Sequence, residues 1–524
     1  MSQLLTSFSA TQLSSGHSQH RWLLPLILFS AGALFPAALA PLLWWPVGLI
    51  SLIVFVYVIW NSTTVKQAFA RTWWFSFGKF STGVSWIYVS MHDHGGTPAP
   101  LAVLLIGLFA GFLATFPAFW FALRQKYFAH HLAWLSIPVF WFLHEWFRSW
   151  FMTGFPWLFA GDAHLFSWLS GWAPVIGSYG ISVLLLLSIT ALYQSWQTRQ
   201  PVYCFMLLLW PVGLLLQNVE WTEKSGELKV AAVQGNVAQD KKWLREMVNP
   251  TINSYYNQTR QHWDADLVLW PETAVTIFLD QFQPYLDSFS REAQQHKTTL
   301  ITGIPYRHPQ GTPLAGEFHN SLIARGYGDG IYHKQQLVPF GEFVPLQEMI
   351  RGLIPFFDLE MSSFLHGQSD QSLLKVGKYS GNEEQLFLIA PYICYEIAYP
   401  QLVREMAKQA DMLVTVSNDA WFGDSLGPKQ HMALAQMRSL ETQRYLLRST
   451  NTGITALVNH KGEIINKLPV NQKATLTGVA EMRQGQTPYM RFGLWPLFVF
   501  SGLVLLAVRA LAVRQDQPEP AANF

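Results

Sequence analysis

Apolar runs of bilayer-crossing length decide most of what this chain can fold into. A membrane span needs roughly 20 apolar residues. About eight stretches approach that length on hydrophobic patterning: 23–40, 42–60, 68–90, 101–124, 132–151, 174–193, 201–217 and 494–514. Lys79 interrupts the third. Charged residues make up 13% of the chain and hydrophobic ones 50%, whereas a soluble protein carries about 25% charged residues. The first run ends in "AALA" at Ala40, like a signal-peptide cleavage site, but Pro41 follows directly and another apolar run begins at once. It therefore reads as a retained span.

Lys and Arg placement orients such a bundle. They fall at Arg21, Lys66, Arg71, Arg124, Lys126, Arg199, Arg509 and Arg514, whereas the connections 91–100 and 152–173 carry none. This predicts both termini in the cytoplasm and everything between the seventh and eighth runs outside. The expected organisation is N-terminal transmembrane helices over 1–219, an extracytoplasmic domain over 220–490, a C-terminal transmembrane helix over 491–515 and a tail over 516–524. A formal net charge of +2 is too small to argue for nucleic acid.

Residues 220–490 change character, with ordinary charge density and alternating strand and helix signals. "LKVAAVQGNV" (228–237), "ADLVLWPETAV" (265–275), "TTLITGIPYR" (298–307), "QLFLIAPYICYE" (385–396) and "DMLVTVSNDAW" (411–421) read as buried strands. Stretches 241–262, 284–296, 399–410 and 428–446 read as amphipathic helices. Strands alternating with helices predict an α/β layered domain, long enough to bury a core of its own.

The chain has two cysteines: Cys204 in the seventh apolar run, and Cys394 at a predicted strand end, directly before Tyr395 and Glu396. The two should not meet. No clustered His/Cys spacing supports a metal. Alone, Cys394 reads as a small buried hydrophobe or as a reactive thiol. Glu272, which closes "LVLWPE", can accept a thiol proton or merely cap a helix. Lys334, in "YHKQQLVPFGEFVP", can stabilise a thiolate and later an oxyanion, or be a solvated charge. Glu342, in the same stretch, is equally open. Catalytic groups in α/β folds often cluster where strands end, and several of these residues fall at such places.

The order of the motifs is more specific than any one of them. "WPE", then "YHKQQLVPFGEFVP", then "ICYE" resemble the Glu–Lys–Cys framework of the nitrilase superfamily. "VQGN" and Trp243 lie upstream, "SNDAWFG" (417–423) with Trp421 lies downstream, and apolar runs flank the domain. With these, nearly the full length resembles the apolipoprotein N-acyltransferase family. The resemblance implies an α-helical membrane bundle plus an αββα sandwich. It also implies Cys394 as nucleophile, Glu272 as general base and Lys334 as transition-state stabiliser. Glu342 matches the family's second active-site glutamate, and Trp243, Tyr395, Glu396 and Trp421 match other positions around the nucleophile. The implied reaction moves the sn-1 acyl chain of a phospholipid, typically phosphatidylethanolamine, to the α-amine of a lipoprotein's diacylated N-terminal cysteine through a thioester. The implied place is the periplasmic face of the bacterial inner membrane, with no metal or organic cofactor. Competing readings are a membrane-tethered nitrilase-type amidase acting on a small extracytoplasmic amide, and a non-enzymatic scaffold carrying a dead nitrilase-like domain.

Further expectations follow from other stretches. "TGFPWLFAGDAHLFSWLSGW" (153–172) would lie at the outer face, lining lipid access or anchoring the interface. His144, Glu145 and Arg148 fall inside the fifth run, where helical spacing predicts a Glu145–Arg148 pair or a proton relay. Residues 340–367 are unusually apolar for a connection and predict a lid over the outer leaflet, or a helix packed on the domain core.

Overall fold

The structure, a computed structural model, describes residues 22–128, 132–339, 341–343, 363–380 and 383–515. Most of the predicted lid (340 and 344–362) and the tail (516–524) lie outside the described residues.

Helices stand where the first seven apolar runs lie: α1 (Leu23–Leu34), α2 (Trp45–Trp60), α3 (Val65–Gly83), α4 (Ala99–Tyr127), α5 (Ala133–Arg148), α6 (Ala173–Thr198) and α7 (Leu209–Leu216). Among the described residues, Ala99–Tyr127 and Trp168–Thr198 are long and apolar enough to cross a membrane, while Leu23–Ala38, Trp45–Trp60, Pro201–Leu216 and Trp495–Leu511 are apolar but shorter. Helices α1 and α3 touch through glycines. A Cβ at Gly32 would lie 1.8 Å from the Phe75 carbonyl oxygen, and one at Gly78 would lie 2.0 Å from that of Phe29. Small residues let two helix backbones approach this closely.

The second part is built on strands β1 (Glu223–Gln234), β2 (Leu267–Leu269), β3 (Thr299–Arg307), β4 (Phe318–Gly326), β5 (Gly328–His333), β6 (Leu374–Ser380), β7 (Glu383–Ile393), β8 (Met412–Ser417), β9 (Leu446–Thr450), β10 (Ala456–Val458), β11 (Ile464–Lys467) and β12 (Ala474–Gln484). They run as one ribbon in the order β11-β10-β9-β8-β7-β6-β5-β4-β3-β2-β1-β12. Its two halves join at β5 and β6, where Gly328–Val376 and Asp329–Lys375 pair. Side chains from both halves, among them Leu228, Val230, Leu269, Ile389, Val414 and Val416, share one core. The alternate residues face outward onto helices. Ala231, Val233 and Val268 meet α8 (Val248–Thr259) and α9 (Leu279–Gln295). Ala390, Tyr392 and Leu413 meet α10 (Pro400–Ala407) and α11 (Leu426–Thr442). Strands covered on both faces read as near-continuous apolar runs, and all six residues of β8, "MLVTVS", are buried. After β12 the chain returns to the helical part as α12 (Trp495–Gln515).

Helix α11 joins the two parts. Met432 and Ala435 pack on the sheet side. Leu434, Met437 and Leu440 enter a core shared with α1–α6. The stretch 157–165 lies buried in this joint instead of lining an open surface. Trp157 donates its indole N–H to Gln430 Oε1 (2.7 Å). Arg438 reaches Asp162 (3.3 Å) and Glu441 (3.1 Å).

Candidate active site

Strand pairing brings the candidate residues together. β2 runs parallel to β3 and ends at Leu269. The chain then turns over Gly303, where a Cβ would lie 2.5 Å from the Pro271 carbonyl oxygen and 2.8 Å from the Glu272 Cα. Glycine is what allows the Glu272 turn to lie so close to β3. Beyond the β4–β5 ladder the Lys334 N–H bonds the Asn320 carbonyl (2.8 Å). Residues opposed in this way present their side chains on one face, so Asn320 and Lys334 both reach Glu272. β7 runs parallel to β8 with Ile393 opposite Val416, which sets Cys394 beside Ser417.

The Lys334 ammonium lies between two carboxylates, 2.8 Å from Glu342 and 3.4 Å from Glu272. The Asn320 amide bridges the same pair, donating to Glu272 Oε1 (2.9 Å) and Glu342 Oε1 (3.0 Å). The Asn418 N–H donates to Glu272 Oε2 (3.0 Å), so Glu272 links one half of the sheet to the other. Val338 N–H donates to Glu342 Oε2 (2.9 Å). Burial alone would push the Lys334 ammonium down, but Glu342, Glu272 and Cys394 hold it above its ordinary value.

Cys394 is partly buried and its backbone is left-handed, with φ +55°. That region costs a non-glycine residue roughly 1–2 kcal/mol, so the neighbours must hold it there. Burial, and after it Glu272, push the thiol up; Lys334 and the Ser417 hydroxyl oppose them without reversing the shift. The resting group is therefore a thiol that needs a base.

Glu396 is fully buried and acts as a post. Its carboxylate accepts from the N–H groups of Gln335 (2.6 Å), Gln336 (3.1 Å) and Ile393 (2.7 Å) and from the Tyr332 hydroxyl (2.9 Å). It thus ties the stretch after Lys334 to the strand that delivers Cys394. Burial raises its carboxyl to about 7 against the pull of these backbone donors and of Lys334.

The remaining expected residues make other contacts. Tyr395 is buried against the helical part: its hydroxyl donates to the Gly154 carbonyl (3.3 Å) and its ring stacks on Trp157. Trp421 is half-buried and meets His94 edge-on at 5.7 Å. Trp243 is 40% exposed; its neighbour Lys242 is the one that reaches inward, donating to the Glu272 carbonyl (3.2 Å). Burial lowers the Lys242 ammonium to about 8. The expected Glu145–Arg148 pair does not form. Glu145 Oε1 accepts from the Trp141 indole (2.9 Å) and the Ala160 N–H (2.8 Å), while Arg148 donates to the carbonyls of Phe155 and Trp157. Both side chains turn to irregular backbone, which offers fixed partners that the other charged group would otherwise have to supply.

Sequence reasoning missed Asn320, Gly303, Asn418 and Ser417. Of these, Ser417 and Asn418 lay inside the quoted "SNDAWFG".

A glutamate, a lysine and a cysteine gathered at strand ends of a two-layer sheet define a nitrilase-type catalytic domain, and the carbon-nitrogen hydrolase family model matches residues 229–487. The model of the apolipoprotein N-acyltransferase N-terminal domain matches residues 31–191. An apolipoprotein N-acyltransferase of Pseudomonas aeruginosa (strain LESB58) is 41% identical, with 97% of this chain and 99% of that protein covered. One of Azotobacter vinelandii is 42% identical over 95% and 97%, and one of Coxiella burnetii is 38% identical over 89% and 96%. The chain belongs to the apolipoprotein N-acyltransferase family.

Proposed function

We propose that this protein transfers an acyl chain from a phospholipid to the N-terminal amine of lipoproteins, with Cys394, Glu272 and Lys334 as its reacting groups. One observation carries the reading: the similarity to apolipoprotein N-acyltransferases runs through the helical part and the catalytic part together. A Glu–Lys–Cys site alone would serve equally to hydrolyse a small amide. The protein is an acyltransferase of lipoprotein maturation at the inner membrane, taking phospholipids as donors and lipoproteins as acceptors. The finer assignment is the sn-1 chain of phosphatidylethanolamine as donor group and the diacylglyceryl-cysteine α-amine as acceptor.

The chemistry follows from the resting thiol. Glu272 takes the Cys394 S–H proton, and the thiolate attacks the ester carbonyl. A C–S bond forms, and Lys334 faces the oxyanion. Collapse breaks the ester C–O bond, and the proton on Glu272 passes to the departing glycerol oxygen, so a lysophospholipid leaves. The lipoprotein amine then attacks the thioester, which is reactive towards amines. A C–N bond forms, the C–S bond breaks, and the amine proton returns through Glu272 to Cys394. Glu342 and Asn320 hold Lys334 and Glu272 in register. Trp243 and Trp421 are assigned to substrate contact, and Tyr395 and Glu396 to support of the nucleophile.

Residues 1–219 and 491–515 form the membrane part, with about eight spans, and residues 220–490 form the periplasmic catalytic domain. The Lys/Arg pattern supports this orientation. Both substrates are anchored by acyl chains that leave lipid at about 0.8 kcal/mol per CH₂, so a catalytic domain held on the membrane spares that transfer.

The test is mass spectrometry of a diacylated lipopeptide incubated with purified protein and phospholipid. The expected result is one acyl mass added at the peptide N-terminus and an equal amount of lysophospholipid. Ammonia released from a small amide, with the lipids unchanged, would replace this reading with the amidase one.

A further inference from the structure

Behind Cys394 lies a buried cluster that the reaction above does not use. Asp419 follows β8, His431 is on α11, and Arg448 is on β9; all three are almost wholly buried. Arg448 Nη2 donates to Asp419 Oδ2 at 2.8 Å, and its Nε is held by the Ile454 carbonyl (3.2 Å). Asp419 Oδ1 accepts from the Ser417 hydroxyl at 2.5 Å and lies 3.2 Å from His431 Nδ1. Burial works against a charge on Asp419, but Arg448, His431 and Ser417 hold its carboxyl well below the usual range.

The cluster grips the nucleophile residue at both ends. His431 Nε2 lies 2.9 Å from the Cys394 carbonyl oxygen. A carbonyl only accepts, so this nitrogen carries the proton and donates. Ser417 Oγ lies 3.5 Å from the Cys394 sulfur. Asp419 thereby fixes the hydroxyl beside the thiol, and Asp419 together with Arg448, whose Nη2 lies 3.2 Å from His431 Nδ1, seats the imidazole that holds the carbonyl of the same residue. The left-handed φ of +55° at Cys394 is a conformation a non-glycine residue keeps only when its surroundings over-determine it.

We propose that Asp419 and His431 are positioning residues for Cys394, holding its strained backbone and the flanking Ser417 hydroxyl so that the sulfur meets the acyl donor in line. This rests on Cys394 being the nucleophile.

The test compares wild type, His431→Leu and His431→Gln, each incubated with phosphatidylethanolamine in detergent micelles without acceptor. The acylated Cys394 peptide is followed over time by mass spectrometry, alongside the melting temperature. His431→Leu is expected to slow acylation at saturating phospholipid by about 10²-fold, the size of effect that a misplaced reacting group produces, with the KM for phospholipid unchanged. His431→Gln keeps an N–H donor and is expected to recover most of the rate. Wild-type acylation rates in His431→Leu would overturn the proposal. So would equal slowing in both variants in proportion to a fall in melting temperature. A wild-type protein that never acylates on Cys394 would instead sink the nucleophile assignment itself.

Discussion

At the candidate active site, Lys334 touches Glu342 and Glu272, and Arg448 touches Asp419, so these buried charges have charged side-chain partners. In the helical half, Glu145 and Arg148 lie one turn apart on α5, yet each spends its hydrogen bonds on other groups: the carbonyls of 155 and 157, the N–H of 160 and the indole of Trp141. A buried ion pair with good geometry roughly offsets its own desolvation. It adds little stability, but it leaves a proton acceptor and a cation in fixed places. A charge bonded to irregular backbone does something else, because it satisfies peptide groups that have no helix or ladder partner. The first arrangement suits chemistry and the second holds up a loop.

The largest effect that tests this contrast is at Lys334. Lys334→Met removes the cation proposed to face the oxyanion and leaves Glu272 and Glu342 sharing the Asn320 amide. Acylation of Cys394 by phospholipid should fall by at least about 10²–10³, the usual result of losing one oxyanion donor. Acyl-enzyme formation measured by mass spectrometry checks this; a loss below tenfold would mean that Lys334 is structural.

Arg148→Met is the counterpart in the helical half. It takes the Arg148 donor from the Trp157 carbonyl and one of two donors from the Phe155 carbonyl, which keeps the Trp157 N–H (2.9 Å); a buried group left unsatisfied costs about 1–3 kcal/mol. The expected result is a lower melting temperature in detergent, with acylation per folded molecule within a few-fold of wild type. Abolished acylation at an unchanged melting temperature would break the comparison and give α5 a part in the chemistry.

Glu396 stands between the two cases, a buried carboxylate bonded to backbone within the active site. Its folded value of about 7 lies above the ordinary carboxyl value. The folded state therefore holds this proton more tightly than the unfolded state does. Its contribution to stability is fully present below the ordinary value and is lost as pH rises through about 7. Glu396→Gln cannot titrate, so the stability of wild type relative to this variant should decline between pH 5 and pH 8, by at most 1.36 kcal/mol per pH unit. Thermal unfolding of both proteins at the two pH values measures it, and a flat difference would show that the carboxylate stays ionised throughout.

Cys394 and Glu272 are legible in the sequence because each closes a short apolar run, and a strand buried on both faces reads as such a run. Asn320 is not legible. It sits at the polar start of "FHNSLIARG", and its amide matters only because β5 returns beside β4 and delivers Lys334 to the same face. Strand β9, "LLRST", is fully buried yet carries Arg448, a residue that argues against a core strand until its partner Asp419 is known. Helix α11 reads as amphipathic from its sequence, but Gln430, His431, Arg438 and Glu441 are all buried in it. One side of α11 packs on the sheet and the other on the helical part, and no local period reveals a second covering layer. The same blind spot affects 153–172. Its Trp and Phe content reads as a membrane interface, but its central part lies in the joint, where the Trp157 ring packs on Tyr395 and His431.

That joint provides the smallest and sharpest test. The Tyr399 hydroxyl donates to the carbonyl of Thr153 at 2.9 Å and lies 3.2 Å from that of Gly154. It therefore ties the turn after Cys394 to the loop that Arg148 holds. Tyr399→Phe keeps the ring, which packs edge-on against Tyr395 at 5.1 Å, and deletes one hydrogen bond. The net value of such a bond is about 0.5–1.5 kcal/mol, and the Gly154 carbonyl keeps the Tyr395 hydroxyl as a donor. Tyr399→Phe should thus lower stability by about 1 kcal/mol. If the loop is only a scaffold, acylation per folded molecule stays at the wild-type rate. Combining Tyr399→Phe with Arg148→Met then separates two pictures. Independent supports give additive losses within about 0.5 kcal/mol. A single brace running from α5 through the loop to Cys394 gives a double variant less damaged than the sum, because the second substitution removes contacts the first has already loosened. Sub-additive stability together with an acylation rate that falls in the single Tyr399→Phe variant would mean that the helical half helps set the position of Cys394, and the division between charges for chemistry and charges for holding a loop would have to be abandoned.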